Sequence, residues 1–241
     1  MARRPDARTA RHAPPLAIDP ERPVRPPDMT TITKVRLRFG KRGDLRLVSH
    51  HDLMRCLERM LRRARVPMAA TQGFNPRPRV TFALALGLGI EALREVVDLE
   101  LTEPWAPPKL LSRLGACAPP GFEWVDAMPL PPGATAPRPR SVAYELPVPE
   151  DRREAARAAL AAFLSSASWP IVRQRADRRR EIDLRPHVLS ADLAGDGVLR
   201  FRLAVAPEGS ARPEELLEAL SLGHLLNEGA FLTRVDVELD A

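Results

Sequence analysis

The sequence predicts an α+β fold built from two units that repeat one order of elements, β-α-β-β-α-β. Alternating apolar and charged residues indicate strands, and apolar residues spaced three and four apart indicate helices. A Pro-rich segment without periodicity, at 129–140, separates two stretches in which these patterns recur. We therefore expect a disordered tail at 1–30, a first domain at 31–128, a linker at 129–140 and a second domain at 141–241.

The first predicted strand is TKVRLRFG, which alternates between two sets of side chains, the apolar Val35, Leu37 and Phe39 and the basic Lys34, Arg36 and Arg38. A turn at KRGD leads to a second predicted strand, DLRLVS. Because helices of such a unit cover one side of the sheet, the basic set is expected on the open side, where it could follow a phosphate backbone.

A helix is predicted to begin after Ser49, with Ser49 as N-cap and Asp52 closing a capping box. Its buried stripe is expected to be Leu53, Leu57, Met60, Leu61 and Ala64. Its solvent side carries four arginines, Arg55, Arg59, Arg62 and Arg63, and Pro67 ends it.

The remaining elements complete both units. Strands are predicted at RVTFALAL, REVVDLEL and FEWVDAMPL, with a helix at PPKLLSRLGACAPP. The second unit is predicted to run through SVAYELPV, a helix at DRREAARAALAAFLSSAS, EIDLRPHVLSADL, VLRFRLAV, a helix at RPEELLEALSL, and FLTRVDVEL. This order is that of two tandem ferredoxin-like domains.

Positive charge is concentrated in one region. Residues 34–82 hold thirteen Lys and Arg against three acids, a net charge of +10, whereas residues 83–241 hold eighteen against twenty-four, a net charge of −6. A local basic surface on a chain that is otherwise acidic is typical of a protein that binds a polyanion such as RNA. The alternative is compositional, since all but three of the 37 basic residues are arginines.

Other site classes have little support. Cys56 and Cys117 are far apart and form no CxxC pair, so no metal site and no cofactor are expected. No apolar run is long enough for a membrane span and no signal peptide is recognisable, which predicts a cytoplasmic protein. Aromatic residues make up 5% of the chain, so stacking is not expected to be the main mode of recognition.

Two local features could carry chemistry. His50 and His51 stand at the helix start, where a neutral imidazole could act as general base on an RNA 2′-hydroxyl; alternatively, one ring packs on the sheet and the other is solvated. In the loop TQGFNPRPR, Gly73 permits a positive φ and the prolines restrict the chain. Arg77 and Arg79 are thus expected to be held out for phosphate, with Asn75 beside them and Phe74 anchored in the core. The helix start with its histidines is expected to lie beside this loop, so that helix and loop form one positively charged concavity.

A third feature is the pair Asp183 and Arg185, two residues apart in EIDLRPH. Alternate residues of a strand share one face, so a surface ion pair is expected.

The segments LRLVSHHDLMRCLERMLRRARVP and QGFNPRPRVTFALALGLGIE, with EIDLRP, RPEELLEAL and FLTR, resemble a radical-SAM-associated family of unknown function over 32–236. The matching positions are Ser49, His50, Asp52, Leu53, Arg55, Glu58, Arg59, Gly73, Phe74, Asn75, Pro76, Asp183, Arg185 and Pro186. The chain departs from the family pattern at His51 and at LALGLG.

The resemblance implies a partner, because such proteins occur beside, or fused to, cobalamin-binding radical-SAM proteins. This chain has no CxxxCxxC motif of its own. The sequence therefore favours a non-catalytic accessory module that binds RNA (tRNA or rRNA) for a radical-SAM partner. The alternatives are a metal-independent endoribonuclease using His50 or His51, and an adaptor that binds protein and no RNA.

Overall fold

The computed structural model describes residues 32–175, 178–206 and 209–240. The predicted tail at 1–30 lies outside these residues. Within them the fold is mixed α/β, with a mostly antiparallel sheet and five α-helices.

The first half has the predicted order of elements. These are β1 (Thr33–Lys41), α1 (His50–Arg63), β2 (Val80–Phe82), β3 (Glu91–Leu101), α2 (Pro107–Gly115) and β4 (Phe122–Pro129). The prediction of a strand at DLRLVS is wrong, because Gly43–Leu47 forms a 3₁₀ turn. The turn directs the carbonyls of Arg46 and Val48 toward the ammonium group of Lys41, which donates to both at 3.1 Å.

The second half contains one hairpin that the sequence patterns did not predict. Its elements are β5 (Pro139–Pro147), α3 (Glu150–Ser165), β6 (Pro170–Arg175), β7 (Arg178–Asp183), β8 (Val188–Leu193), β9 (Val198–Ala204), α4 (Pro213–Ala219), α5 (His224–Asn227) and β10 (Thr233–Leu239). The prediction of one continuous strand at EIDLRPHVLSADL is wrong. Its first part pairs with β6 in a separate two-stranded sheet, and its last part pairs with β9 in the main sheet.

A turn at Arg185–His187 interrupts that segment for two local reasons. Pro186 has no N–H to donate to a strand ladder. The carboxylate of Asp183 also accepts from the backbone N–H groups of Trp169 (2.7 Å) and Arg185 (3.0 Å), which closes the turn.

The strands of both halves join in one sheet with the order β4-β1-β3-β10-β5-β9-β8, and β2 pairs with β3. β3 and β10 are the strands at which the halves meet, and they run parallel through Glu91, Ala92, Thr233 and Arg234. Residues 130–138 connect β4 to β5. The described residues of both halves share this sheet, and the division into two domains at 129–140 stays a prediction.

One hydrophobic core includes residues of both halves. The predicted stripe of α1 is confirmed, because Leu53, Leu57, Met60, Leu61 and Ala64 are all buried in it. The alternation predicted for β1 is confirmed as well, with Val35, Leu37 and Phe39 in the core. Lys34, Arg36 and Arg38 point the other way, onto what we call the open face of the sheet, together with Asp98 and Asp236.

Candidate functional site

The start of α1 is fixed by a local cap, as predicted. The hydroxyl oxygen of Ser49 accepts from the backbone N–H of Asp52 at 3.2 Å, and the hydroxyl donates to the Asp52 carboxylate at 2.7 Å. That bond from Ser49, with the nearby charge of Arg55, lowers the pKa of Asp52. The carboxylate thus bonds the Ser49 side chain, in place of the backbone N–H of a standard capping box.

The loop after α1 is closed at its base. The backbone N–H of Thr71 donates to the carbonyl of Arg77 at 2.9 Å, and the N–H of Arg77 donates to the Thr71 hydroxyl at 3.1 Å. Gly73 has φ +139°, so the predicted positive φ is confirmed. With Pro76 and Pro78 fixing their own φ, these bonds restrict the path of residues 71–77.

Phe74 does not anchor this loop. The prediction of a core anchor is wrong, since the side chain has a relative exposure of 107%. The loop is held by its backbone hydrogen bonds and prolines. Gly73 turns the chain just before residue 74, and the Phe74 ring lies in solvent.

Helix α1 and the loop enclose one cleft of about 510 Å³, which we call the α1–loop cleft. Eight residues line it, namely His51, Met54, Arg55, Glu58, Arg62, Asn75, Pro76 and Arg77. Five of these are predicted site residues that lie up to 26 positions apart in the sequence. The expected juxtaposition of an imidazole and the Arg77 side chain is thus present, although Arg59 is exposed on α1 without lining the cleft.

The arginines of this cleft have few partners. Arg55 forms an exposed ion pair with Asp52 at 3.2 Å, one turn away on the same helix. Among the residues that the structure describes, Arg62 and Arg77 have no side-chain partner, and Glu58 is the only acid that lines the cleft. The cleft therefore presents an excess of positive charge to solvent.

Four other predicted contacts lie elsewhere and have acidic partners. Arg79 binds Glu100 at 3.0 Å, and Lys34 lies 3.8 Å from the same carboxylate. Arg36 forms a bidentate pair with Asp98, at 2.8 and 2.9 Å, and this hydrogen bonding raises the pKa of Arg36.

Arg38, the fourth, donates to Asp236 of β10 at 3.1 Å. Arg79 therefore contacts Glu100 and does not line the cleft with Arg77. Lys34, Arg36 and Arg38 of β1 all have acidic partners.

The two histidines have different surroundings. His51 is exposed and lines the cleft. The ring of His50 packs edge-on against Phe82, with ring centroids 5.1 Å apart. Burial, with the charges of His51 and Arg234, lowers the pKa of His50, so this imidazole is neutral at pH 7.

A buried ionic cluster lies at the junction of the halves and was missed by sequence reasoning. Arg234 of β10 forms a bidentate pair with Glu95 of β3, and each is 2% exposed. Lys41 is fully buried nearby, and burial lowers its pKa to about 8, an effect that Glu95 opposes and Arg234 adds to. The burial of Lys41 could have been predicted from the sequence, because Lys41 continues the alternation of the inward-facing Val35, Leu37 and Phe39.

Asp183 and Arg185 do not form the surface ion pair that was expected. Asp183 accepts the two backbone N–H groups described above. Arg185 donates to the carbonyls of Val188 (3.3 Å) and Leu164 (3.4 Å), and its guanidinium lies 5.8 Å from the centroid of Phe163. Both residues therefore hold the turn between β7 and β8 against the end of α3.

Residues 34–213 match the model of a family described as "uncharacterized protein conserved in bacteria (DUF2344)". The chain belongs to this family. The part that matches DUF2344 contains the whole α1–loop cleft and the Asp183–Arg185 turn, and it ends at the first residue of α4. Arg234 lies beyond it.

No curated protein matches this DUF2344 chain. Within the described residues, no three His, Cys, Asp or Glu side chains are grouped to hold a metal ion. The helices found there are all too short or too polar to span a membrane.

Proposed function

We propose that this DUF2344 protein is a non-catalytic module that binds RNA in the α1–loop cleft and works with a radical-SAM partner enzyme. The observation that carries the RNA part is the convergence of Arg55, Arg62 and Arg77 on one cleft whose described lining includes one acid, Glu58. Arginine suits phosphate because its planar group donates two parallel hydrogen bonds. The radical-SAM partner rests on the family resemblance of the motifs, whereas the description of the halves as two ferredoxin-like units rests on their order of elements.

The distribution of ion pairs supports this choice of surface. A phosphate that binds Arg36 must compete with a bidentate carboxylate, whereas Arg62 and Arg77 have no carboxylate partner among the described residues for it to displace. Backbone bonds hold the loop that carries Arg77, so little backbone conformational entropy remains to be lost on binding.

Salt titration of RNA binding tests the proposal. We expect labelled tRNA or an rRNA fragment to bind the full-length chain with an affinity that falls steeply as KCl is raised, measured by fluorescence anisotropy. Arg62→Ala with Arg77→Ala removes two phosphate contacts, which lowers the slope of log K against log[salt] by about 1.4–1.8. Arg113→Ala, an exposed arginine on α2, is the matched control and should leave the slope unchanged. Failure to bind either RNA at low salt, or an unchanged slope in the double variant, would refute the proposal.

The partner is tested by gel filtration of this protein with a radical-SAM protein, with and without RNA. The proposed module forms a complex that also retains RNA. A stable complex from which RNA is excluded would instead indicate an adaptor.

One observation favours a second function, a metal-independent ribonuclease, since His51 lies in the cleft with the arginines. His51 would take the 2′-hydroxyl proton as that oxygen attacks the adjacent phosphorus, with arginines stabilising the phosphorane. The P–O5′ bond would then break, and the departing 5′-oxygen would take a proton from the imidazolium or from water. Such an enzyme cleaves RNA in EDTA to a 2′,3′-cyclic phosphate, and His51→Ala abolishes the cleavage while Arg113→Ala does not. RNA that stays intact under these conditions excludes it.

A further inference from the structure

Phe74 is the most exposed of the large hydrophobic side chains that the structure describes. It is held there by the loop, because the bonds between Thr71 and Arg77 close the base of the loop and Gly73 turns the chain just before it. A second pairing, between Ala70 and Pro78, lies one residue further from the tip. An apolar ring held in solvent gains no hydrophobic stabilisation from the fold, so contact with another molecule is the simplest role for it.

The position of the ring indicates what it contacts. The three residues that follow Phe74, namely Asn75, Pro76 and Arg77, all line the α1–loop cleft. The ring is therefore presented at the loop tip, next in sequence to a cleft with an excess of positive charge. A basic cleft beside an exposed aromatic ring is the combination that proteins use for single-stranded nucleic acid, in which arginines follow the phosphates and rings stack on bases.

We infer that Phe74 stacks on an unpaired base of the RNA whose phosphates occupy the cleft. This inference rests on the function proposed above and narrows its ligand to RNA with a single-stranded segment, such as a loop or an end. In a duplex the faces of the bases are covered by their neighbours in the stack, so a side chain cannot reach them. Asn75 and Arg77 hold the sugar-phosphate backbone next to the stacked base.

The experiment compares three substitutions at Phe74 in the full-length chain. Phe74→Ala removes the ring, Phe74→Leu keeps apolar bulk without a π face, and Phe74→Trp keeps a π face. Each protein is titrated with a labelled single-stranded oligonucleotide and with the same strand in a blunt duplex, over a series of KCl concentrations. Thermal unfolding checks that each variant folds as the wild type does, which is expected because the side chain is solvent-exposed.

We expect the Ala and Leu variants to bind the single strand about 5- to 150-fold more weakly, the range that corresponds to loss of one base stack. The loss should be equal at all salt concentrations, because stacking releases no counterions, and the Trp variant should bind as well as wild type. The wild type should prefer the single strand to the duplex.

Three results would overturn the inference. If Phe74→Leu binds the single strand as tightly as the wild type does, the contact needs no π face and base stacking is wrong. If salt-dependent binding is strong and none of the variants changes it, RNA binding stands and the stacking role is wrong. If the wild type binds no RNA at low salt, the proposed function fails as well.

Discussion

The open face of the sheet and the α1–loop cleft are both rich in arginine, and they differ in what those arginines contact. On the open face, Arg36 and Arg38 bind Asp98 and Asp236, acids that lie far along the chain. In the cleft, Arg62 and Arg77 have no side-chain partner among the described residues. A sequence count assigns all four to one basic region, whereas the fold leaves only the second pair available to a ligand.

The difference shows why local net charge overstates a binding surface. The +10 of residues 34–82 includes cations that are neutralised by acids from residues 83–240. Arginines whose acidic partners come from distant strands contribute to stability, whereas Arg62 and Arg77 are accessible to a ligand in the cleft. Substitutions in the two regions should therefore change different measurements, and the following predictions are arranged from the largest expected effect to the smallest.

Arg234→Met should cause the largest loss of stability, about 3–5 kcal/mol in the free energy of unfolding, because it leaves the carboxylate of Glu95 buried without its partner. Urea denaturation measures this loss. Adding Glu95→Leu should recover a large part of it, since the uncompensated charge is then gone. A loss below about 1 kcal/mol for Arg234→Met would show that the pair is not buried as described.

Lys41 should make stability rise at alkaline pH. Its pKa is lowered to about 8 in the folded protein, against an ordinary value of 10.5. Between these values the unfolded chain binds a proton that the folded chain does not, so the free energy of unfolding increases with pH. From pH 7 to pH 10 we expect a rise of roughly 2–3 kcal/mol relative to Lys41→Met, measured by urea denaturation at both pH values. Parallel pH profiles for the two proteins would contradict this.

Arg36→Ala and Arg62→Ala compare the two regions directly. Asp98 is 5% exposed, so loss of Arg36 leaves a buried carboxylate unpaired and should lower the free energy of unfolding by about 2 kcal/mol. Arg62 is exposed without a described partner, and its loss should change stability by at most about 0.5 kcal/mol while weakening RNA binding. Urea denaturation and RNA titration of both variants separate the two effects. Equal losses of stability would remove the distinction between the regions.

Ser49→Ala should have the smallest effect, about 1 kcal/mol, because it removes the N-cap that positions the start of α1 and thereby His51 in the cleft. Ser112→Ala, an exposed serine within α2, is the matched control and should be neutral or slightly stabilising. Thermal denaturation measures both variants. Indistinguishable midpoints for the two would show that the cap contributes nothing.

What could be predicted from the sequence depended on interactions between residues close along the chain. The Ser49 cap, the buried stripe of α1 and the alternation of β1 follow from helix and strand geometry, and all three are confirmed. The positive φ of Gly73 is confirmed for the same reason, since it is set by the turn itself. The cleft between α1 and the loop that follows it was also expected, because only a few residues separate the helix from the loop.

The tertiary structure decided the features whose partners are distant in sequence. Nothing within TKVRLRFG indicates that Asp98 and Asp236 will neutralise its arginines, and periodicity does not distinguish a buried Phe74 from an exposed one. The ion pair of Glu95 with Arg234 depends on β3 lying beside β10, a parallel pairing that brings together residues 139 positions apart. Local geometry fixes which way a side chain points, whereas its burial and its charge partner depend on which other strand or loop the whole chain places beside it.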